Sequence, residues 1–316
     1  MRVVVFGAGA VGGALGAYLA RAGHDVQLVG RPDVVAAIGA GGLRVHGRLE
    51  GTFRVAAVAS LAPGTPADLV LVTVKAWDVP AAVGAIVRAV PAGPPIFLLQ
   101  NGLGILEGAR AAFAEAGGHD PDRTLVRAIN SIPATTVGPG EVRIPGDGEI
   151  VLPPAEGPAA AAIARGETLL RGAGLSVRRA ADFPREVWRK VLVNAAINPV
   201  TALHGVPNGR LLEEPYRAEA RALLFEAADV ARAVGVPISE KEAEAEFERV
   251  ARATAENRSS MLQDLDRHRP TEVDAILGAI EELGRARHRP VPVTERTIAA
   301  LRTRAAERWE PGPEPS

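Results

Sequence analysis

Two groups of residues in this chain have the types and the spacing to do chemistry. The first is the run GAGAVG, formed by Gly7, Ala8, Gly9, Ala10, Val11 and Gly12, which follows the apolar stretch Arg2 to Phe6 and opens straight into an apolar-periodic segment through Leu15, Tyr18 and Leu19. In a strand–turn–helix of this kind the first glycine permits the tight turn, the second lets backbone N–H groups approach a pyrophosphate, and the third lets the helix lie close on the sheet. The helix N-terminus then faces the negative charge of the ligand. The second group is Lys190, Asn194 and Asn198, which recur at i, i+4 and i+8 in an otherwise apolar stretch from Val191 to Ile197. Such residues share one stripe of a helix. A helix that is apolar nearly all round is buried, so its polar stripe must face a polar cleft or be satisfied internally. Asparagine is a poor helix former, which argues against a plain solvated face.

The end of the second strand-like run, Asp25 to Val29, bears on which nucleotide the glycines hold. An NAD site usually places Asp or Glu there, roughly 20 residues after the glycines, to hydrogen-bond the ribose 2′-OH. This chain has Gly30 and Arg31 instead, a small residue and a fixed cation, with Asp33 close behind as the rival. A guanidinium pairs with phosphate oxygens in a bidentate way. The expected cofactor is therefore NADPH/NADP+, with Arg31 at the 2′-phosphate; a solvated loop position for Arg31 is the alternative.

These residues need elements to position them. After Arg31 come a helical stretch, Val34 to Ala40, then strand-like Leu43 to His46 and Gly51 to Val58. The continuous apolar run Asp68 to Val74 stops at Lys75-Ala76-Trp77-Asp78 and leads into a helix, Val79 to Val90; the next run, Pro95 to Leu99, ends in Gln100-Asn101-Gly102. This β-α-β rhythm predicts a doubly wound parallel sheet whose ligand crevice lies at the strand carboxyl ends, where Lys75 and Asn101 also fall. From Asp120 to Asp182 short strand-like runs, LVRAINSI, EVRI, EIVL and SVRRA, and a helix from Ala159 to Arg171 read as the antiparallel end of the first domain. From Phe183 the chain becomes almost wholly helical. The predicted fold class is α/β, with a Rossmann-type domain over 1–181 and an all-helical substrate domain over 182–316.

Within the helical part, Ala218 to Val234 is a long helix and Glu240 to Arg252 a strongly charged one, whose charges read as a solvated face. Asn257 and Ser260 share a face if their segment is helical. Thr271 with Asp274 makes a capping signature, which puts Glu272 in the first turn of a last core helix, Val273 to Leu283. From spacing alone Glu272 is explained equally well as a carboxylate favoured by the helix dipole. The C-terminal EPGPEPS reads as a frayed tail.

Composition narrows the rest. At 316 residues two domains are expected, and 47% hydrophobic residues with a net charge of −1 describe an ordinary soluble globular chain. That balance gives no footprint for nucleic acid or an anionic membrane. Cysteine is absent, which excludes disulfides, thiolate metal sites and a cysteine nucleophile, and the six histidines show no zinc-ligand spacing. No apolar run reaches the length of a membrane span, and the N-terminus lacks the basic region and cleavage site of a signal peptide. A cytoplasmic location is expected.

Taken together, GAGAVG, VKAWD at Lys75, QNG at Asn101, WRKVLVNAAINPVTAL around Lys190, VPNG at Asn208 and NRSSMLQDLDRHRPTEVDAILG from Asn257 resemble the ketopantoate reductase (2-dehydropantoate 2-reductase) family over nearly the whole chain. The resemblance implies that Lys190 is the catalytic general acid that protonates the carbonyl oxygen as hydride arrives. It implies that Glu272 binds the substrate hydroxyl and orders the site, and that Ser260 binds the 2-oxo-acid carboxylate. Asn194, Asn198 and Asn257 fall on substrate amides, Asn101 on the position that contacts both cofactor and substrate, Lys75 on a cofactor-side lysine, and Asn208 on a structural or substrate-side asparagine. The implied reaction is NADPH-dependent reduction of ketopantoate to pantoate for pantothenate and coenzyme A synthesis. The rivals are a reductase of another small 2-oxo acid, a catalytically silent NADP(H)-binding sensor, and the 6-phosphogluconate or 3-hydroxyacid dehydrogenase group, which normally extends its helical domain further. A homodimer through helical-domain faces is a further expectation.

Overall fold

A computed structural model describes residues 1–308. By contact the chain divides into two units, one formed by Met1–Gln100 with Gly104–Phe183, the other by Asn101–Leu103 with the chain from Pro184 on.

The first unit is built on a six-stranded sheet. Apolar, β-branched runs form β1 (Arg2–Phe6) and β2 (Asp25–Val29), and the helix that joins them is α1 (Ala10–Arg21). Helix α2 (Pro32–Gly41) follows, with Pro32 at a first-turn position where its missing N–H costs nothing. Next come β3 (Leu43–Gly47), β4 (Gly51–Phe53), β5 (Ala56–Val58), β6 (Leu69–Val72), α3 (Val79–Ala89), β7 (Ile96–Leu98), α4 (Ile105–Glu115), the single turn α5 (Pro121–Thr124) and β8 (Leu125–Arg127). The sheet order is β5-β2-β1-β6-β7-β8, and every pair in it is parallel. The chain leaves β1 on one side for β2 and returns on its other side as β6, so the switch point expected of a doubly wound sheet lies at the carboxyl ends of β1 and β6.

Two smaller sheets complete this unit through β9 (Ile129–Asn130), β10 (Thr135–Gly138), β11 (Glu141–Ile144), β12 (Glu149–Leu152), α6 (Ala160–Gly172) and β13 (Ser176–Arg179). Their orders are β10-β11-β3-β4 and β13-β12-β9. This corrects the reading of 120–182 as an antiparallel end: β8 joins the main parallel sheet, and β11 with β3 and β12 with β13 are parallel pairs. The runs Gly51 to Val58 and LVRAINSI each break into two strands, β4 and β5 or β8 and β9, that serve different sheets.

The second unit is helical: α7 (Phe183–His204), α8 (Tyr216–Ala233), α9 (Glu240–Ala253), α10 (Ser260–Asp266), a π-helical turn over Asp274–Gly278 that runs into α11 (Ala279–Ala286), and α12 (Pro292–Arg308). Its core includes Trp188, Leu192, Ala196, Leu224, Phe247, Leu262, Ile276 and Ile280. Helix α12 was not anticipated as a core element, yet Ile298 and Leu301 are buried in that core. Glu226 of α8 accepts from Val293 N and Thr294 N at 2.8 Å each, capping α12 from another helix. The charges of α9 are also more than a solvated face, because Glu242 pairs with Arg185 at 2.8 Å and Glu244 with Arg221 at 2.8 Å. The tail sequence EPGPEPS lies outside the described residues. No helix among the described residues is long and apolar enough to cross a membrane.

One surface cluster in the first unit couples a histidine to two carboxylates. His46 on β3 has Nδ1 2.9 Å from Glu50 Oε1 and Nε2 2.9 Å from Glu141 Oε1. Hydrogen bonds to Glu50 and then Glu141 raise the His46 pKa above its ordinary 6.5. The Gly47 N–H and then His46 hold Glu50 low, while Arg44 and then His46 hold Glu141 low. The raised imidazole stabilises fully below its unfolded value and is lost as pH rises through the folded one; the carboxylates stabilise above their unfolded value and are lost as pH falls. Relative to His46→Gln, the wild-type thermal midpoint advantage is therefore expected to be greatest near about pH 5.5 and to shrink in both directions. Melting curves across pH check this, and a pH-independent difference contradicts it.

Candidate active site

The residues expected at the nucleotide by their glycine spacing lie in the first unit. Gly7 has φ +123°, a conformation that side chains rarely adopt, and Gly7 N and Ala8 N donate to Val29 O at 2.9 and 2.8 Å. A Cβ on Gly12 would lie 1.9 Å from Gly7 O and 2.6 Å from Thr73 Oγ1, so only glycine lets α1 start this close to the turn. A Cβ on Gly9 would meet nothing within 4 Å. The first and third glycines are thus packing constraints, whereas Gly9 fronts open space, as a position approached by a pyrophosphate must. Ala8, Ala10 and Val11 are part-buried around the same turn. The geometry fits a dinucleotide.

Thr73, which the sequence reading did not single out, closes the switch point: its Oγ1 donates to Gly7 O at 2.7 Å, tying the end of β6 to the glycine turn. A β-branched Thr at the end of an apolar strand run is the only local signal for it. Lys75 follows, part-buried, at the start of a 3₁₀ turn over Ala76–Asp78. Gln100 is 4% exposed and donates through Nε2 to Val72 O at 2.7 Å and Val74 O at 3.2 Å, which holds the backbone on both sides of Thr73. Arg31 sits at the N-cap of α2 with its side chain exposed, and its Nε is 3.7 Å from Asp33 Oδ1.

The lysine–asparagine stripe lies in the second unit. On α7, Asn198 is buried and Lys190 and Asn194 are part-buried, amid Val191, Leu192, Val193, Ala195, Ala196 and Ile197, all buried. The amide side chains of Asn194 and Asn198 have no hydrogen-bond partner among the described residues. Pro199 lies inside this helix and cannot donate to the preceding turn. Beyond it, Thr201 Oγ1 donates to Ile197 O at 2.8 Å and lies 2.6 Å from Ser259 Oγ.

Glu272 is 7% exposed. Asn101 Nδ2 donates to its Oε2 at 3.1 Å, Leu103 N donates to Ala275 O at 3.0 Å, and a Cβ on Gly102 would lie 2.3 Å from Ala275 O. The loop Asn101–Leu103 is therefore docked on Glu272 and on the π-helical turn after it. The predicted capping box is not formed: Val273 starts the turn with no side-chain cap, and the Asp274 carboxylate instead meets Arg302 of α12 at 2.8 Å. Glu272 is a buried, bonded carboxylate rather than an exposed one favoured only by a helix dipole.

Asn257 and Ser260 do not share a helical face. Asn257 is exposed and lies before α10, while Ser260 is the first residue of that helix and is also exposed. The buried serine is Ser259, which caps α10 by accepting from Leu262 N at 3.2 Å. Its position just before an apolar run was the signal that could have found it. Asn208 is buried, donating through Nδ2 to Thr254 Oγ1 at 2.9 Å and through its backbone N to Asn257 O at 2.9 Å, so it ties α9 to the turn that carries Asn257.

Two of these glycines make separable predictions. Gly12→Ala is expected to lower stability by about 1–3 kcal/mol, since overpacking against backbone cannot relax cheaply. Gly9→Ala is expected to leave the denaturant midpoint unchanged and to weaken dinucleotide binding. Chemical denaturation with cofactor titration checks both, and equal stability losses in the two variants would contradict the assignment.

Known proteins match this chain over most of its length. The family described as "Ketopantoate reductase PanE/ApbA" matches residues 3–157, and "Ketopantoate reductase PanE/ApbA C terminal" matches residues 182–305. A 2-dehydropantoate 2-reductase of Halobacterium salinarum is 38% identical over 314 residues, covering 98% of this chain and 99% of that protein. The one from Archaeoglobus fulgidus is 36% identical, covering 90% of each. Among solved structures, a PanE/ApbA family ketopantoate reductase from Ralstonia eutropha superposes with a TM-score of 0.87 at 32% identity, covering 98% of this chain and 100% of that one. A D-mandelate dehydrogenase solved with NADH and anilino(oxo)acetate has a TM-score of 0.89 at 22% identity over 98% of this chain and 99% of that one, a likeness of fold alone. By both halves of its sequence, this chain belongs to the ketopantoate reductase family of oxidoreductases.

Proposed function

We propose that this protein reduces 2-dehydropantoate (ketopantoate) to (R)-pantoate with NADPH, the step that supplies pantoate for pantothenate and coenzyme A synthesis. Support comes from relatives of that name across its length. The observation that carries the reading beyond family likeness is the buried Glu272 held by Asn101, in the same unit as a lysine–asparagine stripe on an apolar helix.

The residues Gly7 to Gly12 with Arg31 and Lys75 would hold the dinucleotide: backbone N–H groups at the pyrophosphate, Arg31 at the 2′-phosphate, Lys75 on the cofactor side. NADPH supplies a hydride to the substrate carbon when bound. Everything else falls to this chain's side chains. Negative charge grows on the carbonyl oxygen as the ketone is reduced, and the Lys190 ammonium stabilises that charge and delivers the proton. Glu272 accepts from the substrate hydroxyl, its carboxylate oriented by the Asn101 amide. The amides of Asn194 and Asn198 fix the substrate without adding charge, which suits an anionic 2-oxo acid. Ser260 and Asn257 are assigned to the carboxylate end of the substrate. Asn208 holds the turn that presents Asn257.

Lys190→Ala is expected to lower kcat by about 10²–10⁴-fold, the usual contribution of a positioned general acid, with the fold intact. Initial rates of NADPH oxidation with ketopantoate, run beside a thermal melt, check this. Turnover close to wild type would contradict the assignment.

A further inference from the structure

The strand end that would read the adenosine ribose carries two opposed charges. Gly30 is confined to glycine by its neighbour: a Cβ there would lie 2.7 Å from the Ala8 Cβ, inside the dinucleotide turn itself. The carboxylate that an NAD site places at this strand end therefore cannot be installed at residue 30 without moving the turn. This chain instead carries a carboxylate at Asp33, in the first turn of α2, and Asp33 Oδ1 lies 3.7 Å from Arg31 Nε. Both side chains are solvent-facing, 66% exposed for Arg31 and 53% for Asp33, so neither is committed to the core and both can turn to a ligand.

We propose that the Arg31–Asp33 pair sets cofactor selectivity, with Arg31 binding a 2′-phosphate and Asp33 both opposing that phosphate and accepting from a free 2′-OH. The proposal rests on the reading of Arg31 as the phosphate-binding cation. Three physical steps support it. An incoming phosphate competes with Asp33 for the guanidinium, whose Nε lies 3.7 Å from the carboxylate. Once the phosphate is bound, Asp33 is a like charge in its immediate surroundings, which lowers affinity without any clash. A cofactor lacking the phosphate meets neither cost, and it finds in Asp33 an acceptor of the type that normally holds the 2′-OH. The pair therefore narrows the preference for NADPH over NADH that Arg31 alone would confer. Asp33 is, in this account, a specificity-determining residue that touches the cofactor and takes no part in proton transfer.

The test is equilibrium titration of the whole protein with NADPH and with NADH, for wild type, Asp33→Asn, Asp33→Ser and Arg31→Met. The two Asp33 variants are expected to bind NADPH about two- to five-fold more tightly, the range of an exposed ion pair, and NADH more weakly, so that the NADPH/NADH affinity ratio rises. The gain in NADPH affinity should shrink at high ionic strength, because screening removes the repulsion that Asp33 supplies. Arg31→Met should collapse the ratio towards one. An unchanged or reduced ratio in both Asp33 variants, with the ratio still collapsed in Arg31→Met, overturns the role of Asp33 and leaves Arg31 as phosphate reader. A ratio that survives Arg31→Met overturns the reading of Arg31 and the proposal with it.

Discussion

The first unit depends on how closely three backbone segments approach one another at the end of β1. Gly12 starts α1 against the carbonyl of Gly7, and Thr73 at the end of β6 hydrogen-bonds that same carbonyl. With Cβ atoms at Gly7 and Gly12 these segments could not meet, and the first turn of α1 could not be aimed at the strand ends. Gln100 extends the constraint to the next strand by gripping the carbonyls of Val72 and Val74. The glycine turn, Thr73 and Gln100 form one hydrogen-bonded seam across β1, β6 and β7. Gly9, alone among the three motif glycines, is left with open space beside it.

The second unit solves a different problem, which is how to keep a carboxylate inside an apolar helical core. Burying polar groups is costly unless they are bonded. Glu272 is supported by Asn101, whose loop is in turn hydrogen-bonded to Ala275 in the π-helical turn. Such turns shift carbonyls out of the regular ladder, and here one of them serves as the dock for Leu103. Farther along α7, Pro199 removes the N–H that would bond the Ala195 carbonyl, and Thr201 donates through Oγ1 to the Ile197 carbonyl while contacting Ser259, the cap of α10. The segments that carry Asn198, Ser259 and Ser260 are held together by that contact.

Much of this was legible in the residues. β1, α1, β2, β6 and β7 are continuous apolar or strictly periodic segments punctuated by glycine, and the glycine spacing has a physical meaning that the structure repeats. What was not legible depended on partners distant in sequence. β4 and β5 read as one strand because no turn residue separates Phe53 from Ala56; only the choice of β3 or β2 as neighbour divides them. α12 has no cap of its own, since Glu226 supplies one from 67 residues away. The Thr271–Asp274 signature is local, but Asp274 pairs with Arg302, which is distant in sequence. In the candidate site, the stripe on α7 could be seen from periodicity. The burial of Glu272 could not, because it arises from a loop some 171 residues earlier. Ser260 came from the family resemblance, and the buried contacts of its neighbour Ser259 were not legible from the motif.

Reduction of ketopantoate by NADPH is tested most directly by the loss of NADPH absorbance with ketopantoate, run beside NADH and beside other small 2-oxo acids. Rapid turnover is expected, fastest with ketopantoate and faster with NADPH than with NADH. Turnover confined to a different 2-oxo acid, or NADPH binding with no turnover on any of them, would contradict it.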